Sequence, residues 1–220
     1  MHPGINGPKL KNKPAIIMAG SGDVITHQEL NELSNQGAQL FRSLGLKPGD
    51  SMAFMMENHK LFFPIAFAAY RSGLKYTAIS WRLQASEVEY IVKDCGAKVF
   101  ITSKFLEESA ESLADSLEGV HKFMLDGTMD DFKSFEEEIK NMPLTSIEDE
   151  CQGAAMLYSS GTTGKPKGVS REINLSPLPY KADDDDLGLT RVVQGLYSAD
   201  EDSVYLSPAP LYHSAPMGFN

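Results

Sequence analysis

The sequence predicts an α/β fold in which layered sheets are flanked by helices. Short apolar runs of strand length alternate with segments of helical periodicity from residue 51 to residue 140. Hydrophobic residues make up 42% of the 220 residues, which is enough for a substantial buried core. Strands that alternate in this way with helices pack as layers around a common core.

The first predicted elements are a hairpin and a helix. The apolar run 14–19 ends in a Gly-Ser-Gly-Asp turn, and the apolar pair 24–25 follows it, which indicates a hairpin. Thr26 and Glu29 have the spacing of a capping box, so a helix should begin at Thr26. Apolar residues then recur at helical spacing as far as Gly45, which can supply the left-handed end of the helix.

Strands and helices alternate after residue 50. The predicted strands are 51–56, 76–79, 99–102, 123–125 and 154–158. The predicted helices are 61–71, 86–96, 104–117 and 132–140, and the first of them is apolar nearly all round, so it should be buried. Ser86 and Glu89 have the spacing of a second capping box. Near the end, we expect an exposed loop at 173–188, a helix at 189–197 and a strand at 204–206.

Charge and cysteine content exclude several classes of protein. The formal net charge of −10, with no basic run, opposes nucleic-acid binding, because an acidic surface repels phosphates. Cys95 and Cys151 belong to no CxxC or Cys/His cluster, which excludes a disulfide scaffold and fits a reducing cytoplasm. The start of the chain lacks a signal-peptide core, and the longest apolar run, 61–69, contains Pro64 and is too short for a transmembrane segment.

Several other residues receive structural interpretations. Four histidines show no spacing typical of a metal site, so we interpret them as surface or packing residues: His2, His27, His59 and His121. Trp81 is interpreted as a core anchor. The aspartate run 183–186 lacks the interleaved ligands of a calcium loop and is interpreted as solvated.

The residues from Tyr158 to Val169 have the composition of a polyphosphate-binding loop. Glycines allow backbone N–H groups to approach an anion, hydroxyls add neutral donors, and two lysines add positive charge. These residues are Ser159, Ser160, Gly161, Thr162, Thr163, Gly164, Lys165 and Lys167. Pro166 follows Gly164-Lys165, so the stretch is not a Walker loop. Composition alone leaves a surface loop as an equal alternative, but the preceding strand and the paired lysines favour phosphate.

These twelve residues resemble the phosphate-binding signature of the adenylate-forming superfamily, which includes acyl-CoA synthetases, firefly luciferases and peptide-synthetase adenylation domains. Further segments resemble the family in the same order: 26–30, 46–50, 80–83, 87–91, 96–99 and 210–214. The resemblance covers nearly the whole chain and is nearest to fatty-acid-type acyl-CoA synthetases. The chain departs from the family at Ser170-Arg171, where many members have Thr-His or Ser-His.

The resemblance implies a two-step reaction with ATP, Mg²⁺ and CoA. A carboxylic acid is converted to an acyl-adenylate, and CoA then displaces AMP. Residues Ser159 to Lys167 would hold the β- and γ-phosphates, with Lys167 also catalytic. His213 would lie beside the adenylate and the substrate carboxylate, although the residue alone favours a hydrogen-bonded histidine at a strand end. The resemblance assigns no metal ligand among these residues.

The resemblance also implies that residues 1–220 are the N-terminal part of a larger adenylation domain, without its C-terminal lid domain. The acid would be fatty, steroid-like or aromatic. Two alternatives stay open, namely an adenylating enzyme with another acceptor (a carrier-protein thiol or an oxygen) and a non-catalytic nucleotide-binding remnant. We expect the 220-residue chain by itself to make no acyl-CoA and to fold incompletely.

Overall fold

The centre of the fold is a parallel six-stranded sheet, as seen in a computed structural model that describes residues 2–159, 165–169, 173, 194–200 and 202–219. Its strands are β3 (Ser51–Met55), β4 (Lys75–Ile79), β5 (Ala97–Ser103), β6 (His121–Leu125), β7 (Lys133–Ser134) and β8 (Ala154–Ala155). The strand order is β7-β6-β5-β3-β4-β8, and all neighbours are parallel. Two antiparallel hairpins lie outside this sheet: β1 (Pro14–Ile17) with β2 (Val24–Thr26), and β9 (Leu157–Ser159) with β10 (Lys167–Val169).

Helices cover both faces of the sheet. They are α1 (Pro3–Lys9), α2 (His27–Ser43), α3 (Phe62–Arg71), α4 (Ala85–Asp94), α5 (Glu107–Leu113), α6 (Phe135–Ile139), α7 (194–197) and α8 (Ser214–Phe219). Met52 and Phe54 of β3 pack with α2, α3 and α6, whereas Ala53 and Met55 pack with α4 and α5. This alternation follows from the two-residue period of a strand, and it buries β3 on both sides. The predicted α/β layered fold is confirmed.

The first predicted capping box is confirmed, and the second is wrong. The Glu29 N–H donates to Thr26 Oγ1 at 3.2 Å, and the Thr26 N–H donates to Glu29 Oε2 at 2.8 Å. In α4 the box is shifted by two residues, because the Gln84 N–H donates to Glu87 Oε2 at 2.9 Å. Ser86 therefore lies inside the first turn of the helix.

Several predicted boundaries need correction. The predicted helix 104–117 is a 3₁₀ turn (Lys104–Leu106) followed by the short α5. The predicted helix 132–140 begins later, because its first residues pair with β6 as β7. The predicted strand 154–158 is divided between β8 and β9. Residues 204–206 form no strand, and the side chains of Val204 and Leu206 are 82% and 73% exposed. Helix α1 has no counterpart among the predicted elements.

Other predictions are only partly answered. The predicted loop 173–188, apart from Ile173, and the first part of the predicted helix 189–197 lie outside the described residues. Trp81 is half-buried and packs against the margin of the core, and its ring meets Phe105 edge-on at a centroid distance of 6.0 Å. Cys95 and Cys151 are buried free thiols. Within the described ranges, no helix is long and apolar enough to cross a membrane.

Candidate functional site

The hairpin of β9 and β10 brackets the predicted phosphate loop. In its antiparallel register Ser159 faces Lys167, Tyr158 faces Gly168, and Leu157 faces Val169. Successive side chains of a strand point to opposite sides, so Ser159 and Lys167 share one face of the hairpin, and Tyr158 and Gly168 share the other. Both Ser159 and Lys167 are exposed. A hydroxyl and an ammonium group therefore lie side by side where the chain enters and leaves the loop.

The parallel sheet fixes the position of this hairpin. Ala154 and Ala155 of β8 pair with Lys75 and Tyr76 of β4, and the Met156 N–H donates to the Tyr76 carbonyl at 2.9 Å. The hairpin thus continues from the carboxyl end of a sheet strand. Ligands of open α/β sheets bind beyond the carboxyl ends of the strands, so this is a suitable edge for a binding loop.

The opposite face of the hairpin packs against the outer surface of α4. The Tyr158 hydroxyl donates to Asp94 Oδ2 at 2.6 Å, and burial raises the pKa of Tyr158, with the bond to Asp94 adding to the rise. The Lys165 Nζ lies 5.2 Å above the ring of Tyr90. A Cβ at position 168 would lie 2.9 Å from Cζ of Tyr158, so the glycine leaves the space that the tyrosine ring occupies.

The structure places only part of the predicted phosphate set. Ser159, Lys165 and Lys167 are described, whereas five predicted residues lie outside the described ranges: Ser160, Gly161, Thr162, Thr163 and Gly164. The Ser170-Arg171 pair is outside them as well. Among the described residues, no carboxylate forms an ion pair with Lys167. Its positive charge is therefore available to an anion.

His213 lies in a turn immediately before α8. Its N–H donates to the Pro210 carbonyl at 3.2 Å, and its carbonyl accepts from the Met217 N–H at 3.0 Å. The His213 side chain is exposed, with its ring 4.5 Å from that of Tyr212, which is itself buried. The imidazole can therefore reach a ligand from a backbone that is held on both sides.

Asn58, a residue that sequence reasoning missed, anchors this motif to the sheet. Its Oδ1 accepts from the Leu211 N–H at 2.9 Å, and its Nδ2 donates to the Ala209 carbonyl at 3.1 Å. Asn58 lies just beyond the carboxyl end of β3, and β4 separates β3 from β8. Two strand spacings amount to about 10 Å, so the His213 motif and the phosphate hairpin are anchored at one edge of the sheet.

One cluster has metal-binding residue types but does not fit a metal ion. Ligand atoms of Glu57, His59 and Asp126 lie within 4.8 Å of one another at the exits of β3 and β6. The His59 Nδ1 accepts the Leu61 N–H at 3.1 Å, so its proton is on Nε2, which lies 3.0 Å from Asp126 Oδ2 and donates to it. A protonated Nε2 has no lone pair for a cation. The hydrogen bond between His59 and Asp126 accounts for their close approach, and we assign no Mg²⁺ to this cluster.

Comparisons with known proteins agree with this geometry. The protein-family model described as "AMP-binding enzyme" matches residues 6–220 of the chain. A feruloyl-CoA synthase from Amycolatopsis is 27% identical over 204 residues, which are 93% of this chain and 38% of the relative. Fatty acid–[acyl-carrier-protein] ligase ScoC from Streptomyces coeruleorubidus is 28% identical over 157 residues, which are 71% of this chain and 29% of the relative. The chain thus spans about a third of the length of these relatives.

Solved structures show the same fold. The anthranilate CoA ligase AuaEII in complex with anthranoyl-AMP superposes with a TM-score of 0.68 at 26% identity, over 76% of this chain and 33% of that one. Apo MbtA from Mycobacterium smegmatis superposes with a TM-score of 0.79 at 23% identity, over 99% of this chain and 40% of that one. With the matched signature, the fold and the family description in agreement, the chain belongs to the AMP-binding family of adenylate-forming enzymes.

Proposed function

We propose that the whole protein is an ATP-dependent acid–thiol ligase that forms an acyl-adenylate and then an acyl-CoA. The observation that carries this proposal is the hairpin, which presents Ser159 and Lys167 on one exposed face at the carboxyl edge of the sheet, with no carboxylate paired to Lys167 in the part of the chain that the structure describes. The relatives support it, because they include a feruloyl-CoA synthase and a fatty acid ligase. The CoA ligase structure with anthranoyl-AMP supports the adenylate as intermediate.

The first step transfers adenylate to the acid. A carboxylate oxygen attacks the α-phosphorus of ATP, the bond to the β-phosphate breaks, and pyrophosphate leaves. Negative charge increases on the departing group, so donors and cations held in place beforehand lower the barrier. Ser159, Lys165, Lys167 and the residues between them would supply these contacts. His213 would hold the reacting carboxylate near the α-phosphate.

The second step transfers the acyl group to a thiol. The sulfur of the acceptor attacks the acyl carbonyl, its proton is released, and AMP leaves. CoA is the acceptor that we propose. A carrier-protein thiol is the alternative, and the likeness to the acyl-carrier-protein ligase ScoC supports it. An oxygen acceptor and a non-catalytic remnant are the remaining alternatives. We also propose Mg²⁺ as the companion of ATP and a cytoplasmic location.

Assays of the full-length protein with a panel of acids test the function. We expect ATP–pyrophosphate exchange that depends on a fatty, steroid-like or aromatic acid, and CoA consumption that depends on the same acid. Acid-dependent exchange with thioester formed only on a carrier protein would instead support the alternative acceptor. Absence of exchange with every acid would contradict an adenylating function.

Replacing His213 with alanine should impair the first step more than the second. Loss of a hydrogen bond to a charged carboxylate should slow adenylate formation by about tenfold or more. Thioester formation from supplied acyl-adenylate should fall less, because the carboxylate is then already activated. Single-turnover assays of the two steps separate these rates. An equal loss in both would indicate a structural role for His213.

We further propose that residues 1–220 correspond to the N-terminal part of a longer adenylation domain, since the chain spans about a third of its relatives. The isolated 220-residue chain should release no AMP at any ATP concentration. Catalysis requires the groups that bind every part of ATP to be placed together. Exposed apolar side chains should also promote association: Leu196, Tyr197, Val204, Tyr205 and Leu206. A monodisperse chain with acid-dependent AMP release would contradict this expectation.

A further inference from the structure

Helix α4 contacts both ends of the phosphate loop. On the entry side, the Tyr158 hydroxyl donates to Asp94 Oδ2 at 2.6 Å, a short bond to a charged acceptor. On the exit side, the Lys165 ammonium group lies 5.2 Å above the ring of Tyr90, within the range of a cation–π interaction. Tyr90 and Asp94 are four residues apart, so they lie on the same side of the helix. One helical surface therefore holds the chain before and after the loop.

Asp94 occupies a position that is unfavourable for a carboxylate. It is the last residue of α4, where the helix dipole places partial negative charge. Two hydroxyls offset this cost, because Tyr158 donates to Oδ2 at 2.6 Å and Tyr90 donates to Oδ1 at the longer distance of 3.4 Å. Without these donors an aspartate at this position would weaken the helix, so the hydroxyl of Tyr158 stabilises the end of α4 as well as the hairpin.

Gly168 makes the contact with Asp94 possible. It faces Tyr158 across the hairpin, and a Cβ there would lie 2.9 Å from Cζ of Tyr158 and 2.4 Å from Cε of Met156. A side chain at position 168 would therefore require the tyrosine ring to shift from the position in which it reaches Asp94. The second glycine of the Gly-Lys-Pro-Lys-Gly segment thus serves packing behind the loop rather than contact with an anion.

We propose that Asp94 and Tyr90 are positioning residues for the phosphate loop. Asp94 holds β9 through Tyr158, and Tyr90 holds the exit of the loop through Lys165. The contact of Tyr158 with Asp94 is on the side of the hairpin opposite Ser159 and Lys167, so it leaves that face open to a polyphosphate. The catalytic consequence rests on the proposed function, whereas the mechanical consequence, a hairpin held against α4, does not.

The first test is mechanical and uses the full-length protein without nucleotide. Asp94→Ala should increase hydrogen exchange of the β9 and β10 amides by about tenfold, because it removes the acceptor of a charge-assisted bond. Tyr158→Phe should give the same increase, and the double variant should add little to either single change. Asp94→Asn retains a neutral acceptor oxygen and should recover about half of the protection, measured as the change in exchange free energy. Unchanged exchange in Asp94→Ala would overturn the proposal.

The second test is catalytic and uses ATP–pyrophosphate exchange. Asp94→Ala should raise the KM for MgATP by about tenfold and lower kcat less, because the hairpin that carries Ser159 and Lys167 must be held in place when the nucleotide binds. Tyr90→Leu should raise KM by about threefold, since an exposed cation–π contact is weaker. Glu89→Ala is the matched control, because Glu89 lies on α4 and pairs with Lys93 at 2.5 Å. It should change neither KM nor hairpin exchange.

The outcomes separate this proposal from the proposed function. If the wild type shows no acid-dependent exchange, the proposed function fails, and hydrogen exchange still decides whether α4 holds the hairpin. If Asp94→Ala also increases exchange of the buried α4 residues Val88 and Val92, Asp94 supports the helix instead, and the proposal is wrong. A fall in kcat with unchanged KM would likewise contradict a positioning role.

Discussion

Replacing Lys167 with alanine should slow ATP–pyrophosphate exchange of the full-length protein by about a hundredfold. Lys167 begins β10 directly opposite Ser159, is exposed, and has no ion-pair partner among the described residues. A free cation at the mouth of the loop should stabilise the charge that increases on departing pyrophosphate. A contact that strengthens in the transition state affects kcat and kcat/KM together. Exchange driven by a good acid substrate measures this loss.

Two further variants test whether the loss of exchange is specific to the phosphate loop. Lys93→Ala removes an exposed lysine of α4 that pairs with Glu89, so it should leave exchange unchanged. Thr163→Ala, a predicted loop residue outside the described ranges, should slow exchange without altering folding. Lys167→Ala with wild-type exchange would remove Lys167 from the mechanism. Unchanged circular dichroism and unfolding midpoints in all three variants would exclude a loss through misfolding.

Local chemistry explains why much of the fold could be predicted. The strands of the sheet centre are buried on both faces, so β3 is apolar from Met52 to Met55 and β5 is apolar from Val99 to Ile101. The Thr26–Glu29 box defines the start of α2 within four residues. Gly45 has a φ of +82°, as expected for the left-handed residue that ends a helix. Each of these signals depends on neighbours in sequence.

The missed features depend on partners that are distant in sequence. The edge strand β7 has two residues and exists because β6 lies beside it. The Asn58 contacts span 151 and 153 residues, and the Tyr158–Asp94 bond spans 64 residues. Sequence spacing cannot show that an amide or a carboxylate has such a partner. The candidate site could therefore be proposed from its motif, whereas the groups that hold the described part of it in place could not.

Replacing Glu150 with alanine should lower the free energy of unfolding by about 3 kcal/mol. The Glu150 Oε1 accepts from Arg71 Nε at 2.6 Å, and Arg71 is fully buried. The guanidinium group also donates to the backbone carbonyl of Asn31 at 3.1 Å and to Ser34 Oγ at 2.8 Å. These acceptors are neutral, so they cannot balance its charge. His2 cannot supply negative charge, and burial and Arg71 lower its pKa to about 2, so it stays neutral beside the guanidinium. The change would remove the carboxylate that pairs with this buried charge at 2.6 Å.

The neighbouring residue provides the control for this effect. Asp149 pairs with Arg42 at 3.0 Å, but the Asp149 side chain is 55% exposed, so Asp149→Ala should cost less than about 1 kcal/mol. Urea unfolding of the full-length protein compares the two variants directly. Arg71→Met combined with Glu150→Leu should recover much of the loss, because an apolar pair of similar volume has no desolvation cost. Equal losses for Glu150→Ala and Asp149→Ala would show that burial of Arg71 does not make its ion pair stronger than a surface pair.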